Sequence, residues 1–373
     1  MKIGILTYHA CYNYGACLQA YALQQSIKRR YAECDIIDYQ SKQLIDINHP
    51  FCKVPKHPKE IIKNITRLPY YNQLLRRQKL FEDFINNMQM LSRRCSTDRE
   101  VEQVCAEYDC IVCGSDQTWN LDPNIRYETP LYYMNFPKVQ RRITYATSFG
   151  SWVENFPLRE KELLPWIEQF DALSMREESG VRMLQSRGMA CEWVLDPTLL
   201  LEQTDYDKIA EKRIIDEPYV LLFSWNGAEE AVEITKKVSD KLGCKAFYIV
   251  PPPRAMFCGI QRKLDVGPRE FLSLVKYAEF IVTNSFHGTV FSTIYKKPFI
   301  SAIKGEVDPR RASLMKQLGL ENHLISPERM ELSTIMETDF SKVESNIEML
   351  RKFSLSYLYD SISVPLKLGR IKN

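Results

Sequence analysis

Short apolar runs rich in β-branched residues alternate with stretches of helical spacing along most of the chain. Residues 2–8 (KIGILTY) predict a buried strand, 9–15 a loop, 16–29 an amphipathic helix and 34–39 a second strand. Residues 45–78 read as irregular, punctuated by Pro50, Pro55, Pro58 and Pro69, before helical spacing resumes over 80–90. Further strands are predicted at 108–113, 142–148 and 191–195, with Ala172 to Met175 leading into the loop 176–180 and a helix to Arg187. The Asp196-Pro197 turn and the polar segment 202–217 mark a domain boundary. A second series follows: strand 219–223, helix 228–242, strand 245–250, helix 268–277, the strand that ends at Ser285 and His287, and strand 298–303. Buried strands alternating with helices predict an α/β fold with parallel sheets. The expected units are 1–200 and 215–342, with a C-terminal helix within 343–373 crossing back onto the first.

Length agrees with two units, since 373 residues exceed what one ordinary core organises. A hydrophobic content of 45% and a charged content of 26% are those of a soluble globular protein. The net charge of +3 is small and nominates no nucleic-acid partner, but its distribution matters. Residues 53–79 carry Lys53, Lys56, Lys59, Lys63, Arg67, Arg76, Arg77 and Lys79 against Glu60 alone. Such a stretch is either a solvated helical face or a patch that meets lipid headgroups or a pyrophosphate-linked ligand. The eleven cysteines are scattered, and Cys110 and Cys113 share a predicted strand with no second pair to complete a zinc site. Buried thiols in a reducing cytosol, and no metal, are expected. The chain opens on a strand pattern and holds no apolar run near 18 residues, so a cytoplasmic protein is expected.

Candidate chemistry gathers where predicted strands end. Phe280 to Val282 run into Thr283-Asn284-Ser285-Phe286-His287-Gly288, which reads as a strand, a tight turn and a helix start. Ligands of open α/β sheets bind at carboxyl ends of strands, and helix N-termini favour anions. Ser285 and His287 sit at such an edge, and that position favours function over a satisfied turn histidine. The loop with Asn13, Tyr14 and Gly15 follows the first strand without a G-x-G-x-x-G pattern, so no dinucleotide is indicated. Gly114-Ser115-Asp116-Gln117-Thr118-Trp119 offers hydroxyl, carboxylate, amide and an aromatic ring, a set suited to a sugar; an Asx-type turn is the plainer alternative. Arg176 falls at another strand end, where its fork suits carboxylate or phosphate, with surface pairing to Glu177 or Glu178 as the competing account.

Taken together, GILTYHACYNYGACLQAYALQ, CGSDQTWN, YATSFG, SMREESG, VLDPTLLL and TNSFHGTVFS, in that order from residue 3 to 292, resemble the polysaccharide pyruvyl transferase family. The resemblance implies a GT-B-like fold, two Rossmann-like domains facing across a cleft, with the acceptor on the first and the donor on the second. It implies phosphoenolpyruvate as co-substrate with no other cofactor. The acceptor would be a sugar in a surface or capsular polysaccharide precursor, and the products a cyclic pyruvate ketal and phosphate. Arg176 matches the family's donor-binding arginine and His287 its active-site histidine. Ser285 stands where other members carry Arg in an Arg-Leu-His turn, which removes one anion clamp. Phe286 and the helix start at Gly288 are expected beside the donor, with Lys304 or Arg311 as substitute cations. His287 is the expected general acid/base, since an imidazole's intrinsic pKa lies near working pH, and Asp116 a weaker candidate base. Asn13, Tyr14, Gly15, Ser115, Gln117 and Trp119 are expected to meet the acceptor, and the basic stretch 53–79 favours a lipid-pyrophosphate-linked oligosaccharide at the membrane's inner face. Competing readings are a nucleotide-sugar glycosyltransferase on the same frame and a non-catalytic carbohydrate-binding relative.

Overall fold

A computed structural model describes residues 1–53, 55, 57–122, 130–225, 228–254, 258–305, 307–330 and 332–363; Lys56 and positions 364–373 of the expected C-terminal helix fall outside them. The chain begins with β1 (Lys2–Leu6), α1 (Tyr14–Lys28) and β2 (Glu33–Ile36). Three helices follow: α2 (Lys42–Asn48), α3 (Pro58–Arg67) and α4 (Tyr71–Met88). Then come α5 (Asp98–Cys105), β3 (Cys110–Cys113), β4 (Arg142–Thr144), α6 (Phe156–Ile167), β5 (Ser174–Met175), α7 (Glu178–Gln185), β6 (Glu192–Trp193) and α8 (Gln203–Asp207). The first sheet has the order β2-β1-β3-β4, all parallel, and single bridges from Ile143 to Ala172 and from Thr147 to Met175 carry it on toward the β5–β6 pair.

The second half holds β7 (Tyr219–Phe223), α9 (Ala228–Leu242), β8 (Lys245–Tyr248), β9 (Gln261–Arg262), α10 (Pro268–Tyr277), β10 (Phe280–Thr283), α11 (Phe286–Ile294), β11 (Phe299–Ala302), α12 (Pro309–Leu318), β12 (Leu324–Ile325), α13 (Leu332–Met336) and α14 (Phe340–Ser363). Its six strands run parallel in the order β12-β11-β10-β7-β8-β9. Every residue of β7, β10 and β11 is buried, as the continuous apolar runs require of strands covered on both faces. Strand order reverses between β1 and β3 in one sheet and between β7 and β10 in the other. Those are the switch points where parallel sheets open a crevice.

Residues 45–78 correct the reading from sequence, because they are mostly helical. Proline starts these helices instead of breaking them: Pro58 occupies the first turn of α3, and Pro69 a 3-10 turn at Leu68–Tyr70 before α4. Glu60 closes the start of α3 by accepting from the His57 N–H at 3.2 Å. The first helix also starts earlier than its apolar spacing suggests, since Asn13 caps it and accepts from the Gly15 N–H at 2.9 Å.

Helix α14 returns to the first half. Tyr359 donates to the Ser26 carbonyl at 2.8 Å, Ser354 Oγ accepts from the Leu195 N–H at 3.0 Å, and Leu358 and Ile362 join the core under β1 and β3. A larger core spans both halves, with Tyr14, Leu18, Phe81 and Phe84 packed among Phe223, Phe271 and Phe291. Tyr14 stacks on Phe271 with centroids 4.6 Å apart and planes within 7°. Burying a side chain of this size contributes about 1.5–3 kcal/mol. No helix among the described residues is long and apolar enough to cross a membrane.

Candidate active site

The carboxyl ends of both sheets converge on Asp196, which follows β6 and opens a 3-10 turn at Pro197–Leu199. Its side chain is fully enclosed. Oδ1 accepts from the Thr198 N–H at 3.0 Å and the Thr198 hydroxyl at 2.6 Å; Oδ2 accepts from Ser115 Oγ at 2.9 Å and Arg176 Nη1 at 3.0 Å. From the other half, His287 Nε2 stands 3.7 Å from the same Oδ2, an ion-pair distance too long for a hydrogen bond. Burial alone would push this carboxyl up. The His287 imidazole, the Arg176 guanidinium and the Thr198 hydroxyl more than offset that and hold it far below the ordinary carboxylate range.

Sequence places His287 through α11, whose start is fixed by Ser285: its hydroxyl accepts from the Gly288 N–H at 3.4 Å. Phe286 lies beneath the Arg176 guanidinium, 4.3 Å from carbon to ring centroid, and so sets its plane. Arg176 and His287 are both buried, yet Arg176 Nε and Nη2 and His287 Nε2 have no hydrogen-bond partner among the described residues. Buried donors of this kind are normally satisfied, so the three atoms suit an anion. Gly15 makes the arrangement possible, since a Cβ there would lie 2.0 Å from His287 Nδ1.

Around this centre runs a charged seam between the halves. Glu178 pairs with Lys316 at 2.8 Å, its N–H donates to Ser313 Oγ at 3.1 Å, and Ser151 Oγ donates to Asp308 Oδ2 at 3.0 Å. Arg310, bonded to Asp308, also feels the charges of Glu177 and Asp116. Burial pushes the Glu177 carboxyl up despite Arg176 and Arg310 beside it, while its Oε1 accepts from the Phe149 N–H at 2.7 Å.

A cavity of about 820 Å³ opens beside the centre. Its lining includes Asn13, Cys11, Asp116, Gln117 and Asn120 together with Lys63, Arg67, Arg77, Trp225 and Arg254. The lining reaches Asp116, whose Oδ1 is 3.9 Å from Arg176 Nη2; Arg176 and His287 lie just behind it. Asp116 has φ of 73°, a left-handed conformation that is uncommon outside glycine and recurs at functional sites. Among the lining cations, burial and then the neighbouring Arg254 and Arg77 lower Arg67 to about 10, and burial and then Arg67 lower Lys63. Cys11 is no nucleophile, because burial and then Asp116 push its thiol up to about 12. All eleven cysteines are free, and no group of three or more His, Cys, Asp or Glu able to hold a metal occurs among the described residues.

Of the residues singled out in the sequence, Arg176, His287, Phe286, Ser285, Ser115 and Asp116 come together, with Asn13 and Gln117 along the cavity. Six others do not take the expected place. Tyr14 is buried in the shared core, bonded to Arg77 and to the Val266 carbonyl. Trp119 is buried, stacked on Tyr133 and donating to the Tyr132 carbonyl at 3.1 Å, so its face is closed to a sugar. Lys304 is exposed and paired with Glu230 at 2.7 Å. Arg311 is tied to Ser301 Oγ at 3.0 Å and the Ala302 carbonyl at 2.9 Å, and its neighbour Arg310 faces the seam instead. Gly288 has its N–H capped and is a packing position, where a Cβ would meet Thr283 Oγ1 at 2.2 Å. Gly15, expected beside an acceptor, packs against His287. Sequence reading missed Asp196, although it too follows a strand at its carboxyl end.

The fold resembles solved structures of low sequence identity over nearly the whole chain. An α-glucosyltransferase in complex with UDP and a 13-mer DNA shares 10% identity at a TM-score of 0.55, covering 98% of this chain and 100% of that one. A UDP-N-acetylglucosamine 2-epimerase from Rickettsia bellii shares 9% at 0.50, covering 97% of each. At such identities the likeness carries the fold alone, a GT-B-like pairing of two Rossmann-like layers. Comparison with curated proteins returned no match. The sequence model for polysaccharide pyruvyl transferases spans residues 13–303, from the cap of α1 past β11, and therefore takes in Asp196, Arg176 and His287 together. With most of its length and the whole of this convergence inside that match, the chain belongs to the polysaccharide pyruvyl transferase family.

Proposed function

We propose that the protein transfers pyruvate from phosphoenolpyruvate onto two hydroxyls of a sugar in a polysaccharide precursor, forming a cyclic ketal and releasing phosphate. One observation carries the reading: a guanidinium from one lobe and an imidazole from the other meet at Asp196, and three of their nitrogens have no hydrogen-bond partner among the described residues. Phosphoenolpyruvate bears a carboxylate and a phosphate, and fixed cations stabilise the charge that shifts as it reacts. The donor would approach through the cavity, past Asp116. Arg176 would hold it, and Arg310 would supply the second cation that Ser285 does not.

In the proposed chemistry His287 protonates the methylene carbon, leaving an oxocarbenium-like centre at C2. One sugar hydroxyl adds there and loses its proton, which Asp116 in the cavity lining would receive. The C–O bond to phosphate then breaks, and a second hydroxyl closes the ring with loss of its proton. Of the two hydroxyl protons, one replaces that delivered to the methyl group and one leaves with phosphate. Asp196 keeps Arg176 and His287 in register and does not itself turn over.

The acceptor is read as a lipid-pyrophosphate-linked oligosaccharide. Support comes from Lys63, Arg67 and Arg254 in the cavity lining, where burial and then neighbouring cations lower Lys63 and Arg67, so that an anion among them would be favoured. The experiment is incubation with phosphoenolpyruvate and such an acceptor, following inorganic phosphate and acceptor mass. Stoichiometric phosphate and a pyruvate ketal are expected, abolished in His287→Ala. Release of a nucleoside diphosphate from a nucleotide sugar, or undiminished turnover in His287→Ala, would overturn the reading.

A further inference from the structure

Helix α3 is built inside out. Lys59, Lys63 and Arg67 recur four residues apart and line the cavity, while Ile61, Ile62 and Ile65 face outward and none of its residues is buried. The outward stripe continues through Leu68 to Tyr71 and Leu75 on α4, and Ile65 and Leu68 are each 61% exposed. Of the fifteen large apolar side chains left exposed among the described residues, eight fall between positions 45 and 75. Scattered exposed apolar residues are ordinary, but a contiguous stripe is the mark of an interaction surface.

We propose that this outward face of α3 and the start of α4 docks on an anionic lipid bilayer, lying in the plane of the interface. Charge complementarity selects that occupant. Segment 57–81 contains a single carboxylate, Glu60, which lines the cavity, whereas Lys53 and Lys79 are exposed and lie outside that lining. Interfacial helices combine such an apolar face with flanking cations whose stems follow it into the headgroups. A two-fold contact with a second copy would bring like-charged lysines toward one another, which disfavours self-association. Docking here leaves the cavity, and the cationic inner face of α3, immediately beside the membrane. The proposal stands apart from the reaction: vesicle binding without pyruvyl transfer would leave it intact and count only against the function proposed above.

The test is co-sedimentation of the full chain with phosphatidylcholine vesicles and with vesicles containing about one-third phosphatidylglycerol, at low and high salt. Binding is expected to the anionic vesicles, weakened by salt. Ile62→Asp/Ile65→Asp should lower it at least tenfold with an unchanged melting curve, because both side chains already face water. Lys53→Glu/Lys79→Glu should lower it while leaving melting unchanged. Wild-type protein that ignores anionic vesicles would overturn the proposal. So would an aspartate variant that binds as well as wild type, or a wild-type dimer that those aspartates convert to monomer.

Discussion

Replacing Asp196 by asparagine keeps the side chain's size and removes its charge from beside the Arg176 guanidinium and the His287 imidazole. The carboxylate is enclosed, bonded to Arg176 at 3.0 Å and Ser115 at 2.9 Å, and 3.7 Å from His287. An amide can still accept from Thr198, but its NH2 must then face groups that are themselves donors. Removing one partner of a buried ion pair costs about 3–5 kcal/mol. Because the halves share one core, the whole 373-residue chain unfolds together. At about 2.1 cal/mol/K of unfolding entropy per residue that is about 1.3 °C per kcal/mol, so the melting temperature should fall by about 4–6 °C at pH 7. The carboxyl is depressed in the folded state, so its contribution is complete above the unfolded value near 4 and is lost as pH falls below it. Wild type and Asp196→Asn should therefore differ most above pH 5, and the gap should narrow steadily from pH 4 to 2 without closing. Thermal and urea unfolding across pH 2–7 measure both effects. A variant that melts within 1 °C of wild type at pH 7, or a gap that stays constant down to pH 2, would refute the electrostatic account.

Gly15→Ala adds a methyl group 2.0 Å from His287 Nδ1, which displaces the imidazole by the order of an ångström. Misplacement on that scale costs on the order of a hundredfold in rate, so kcat should collapse while circular dichroism stays native. Arg176→Lys keeps the charge but loses the planar fork over Phe286. Its kcat/KM for phosphoenolpyruvate should fall on the order of ten- to a hundredfold, read from initial rates. Truncation before Phe340 strips Ser354 from the Leu195 N–H and uncovers the core partners of Leu358 and Ile362. The first half should lose fixed tertiary packing, seen as a vanished near-ultraviolet dichroism signal.

The β10–α11 turn is legible in the sequence because three local signals coincide there: a run of β-branched residues, a serine cap and a glycine. Strands β7 and β10 and helices α9 and α10 likewise announce themselves by period and punctuation. Tyr14 misleads for a local reason. Beside Gly15 after a strand it looks like a ligand loop, and only the stacking on Phe271, far along the chain, shows it to be core. Trp119 fails in the same way, since its partner Tyr133 lies beyond the loop. Asp196 hides because an Asp-Pro turn is common, and nothing local distinguishes a capping aspartate from one holding an arginine and a histidine. Over 45–78 the prolines read as breakers, although at a first helical turn they are initiators. The inverted faces of α3 defeat the rule that apolar stripes point inward.

The core in which Tyr14, Phe81 and Phe84 meet Phe223 and Phe271 belongs to neither half alone. Any fragment cut between the two sheets would carry away half of a greasy seam, so neither piece is expected to survive by itself in water. Chimeras that swap specificity between relatives must accordingly move α1 and α4 with the second half, leaving their own strands behind. For the same reason, prising the lobes apart would expose those aromatic rings to water, so opening at this seam carries a hydrophobic cost.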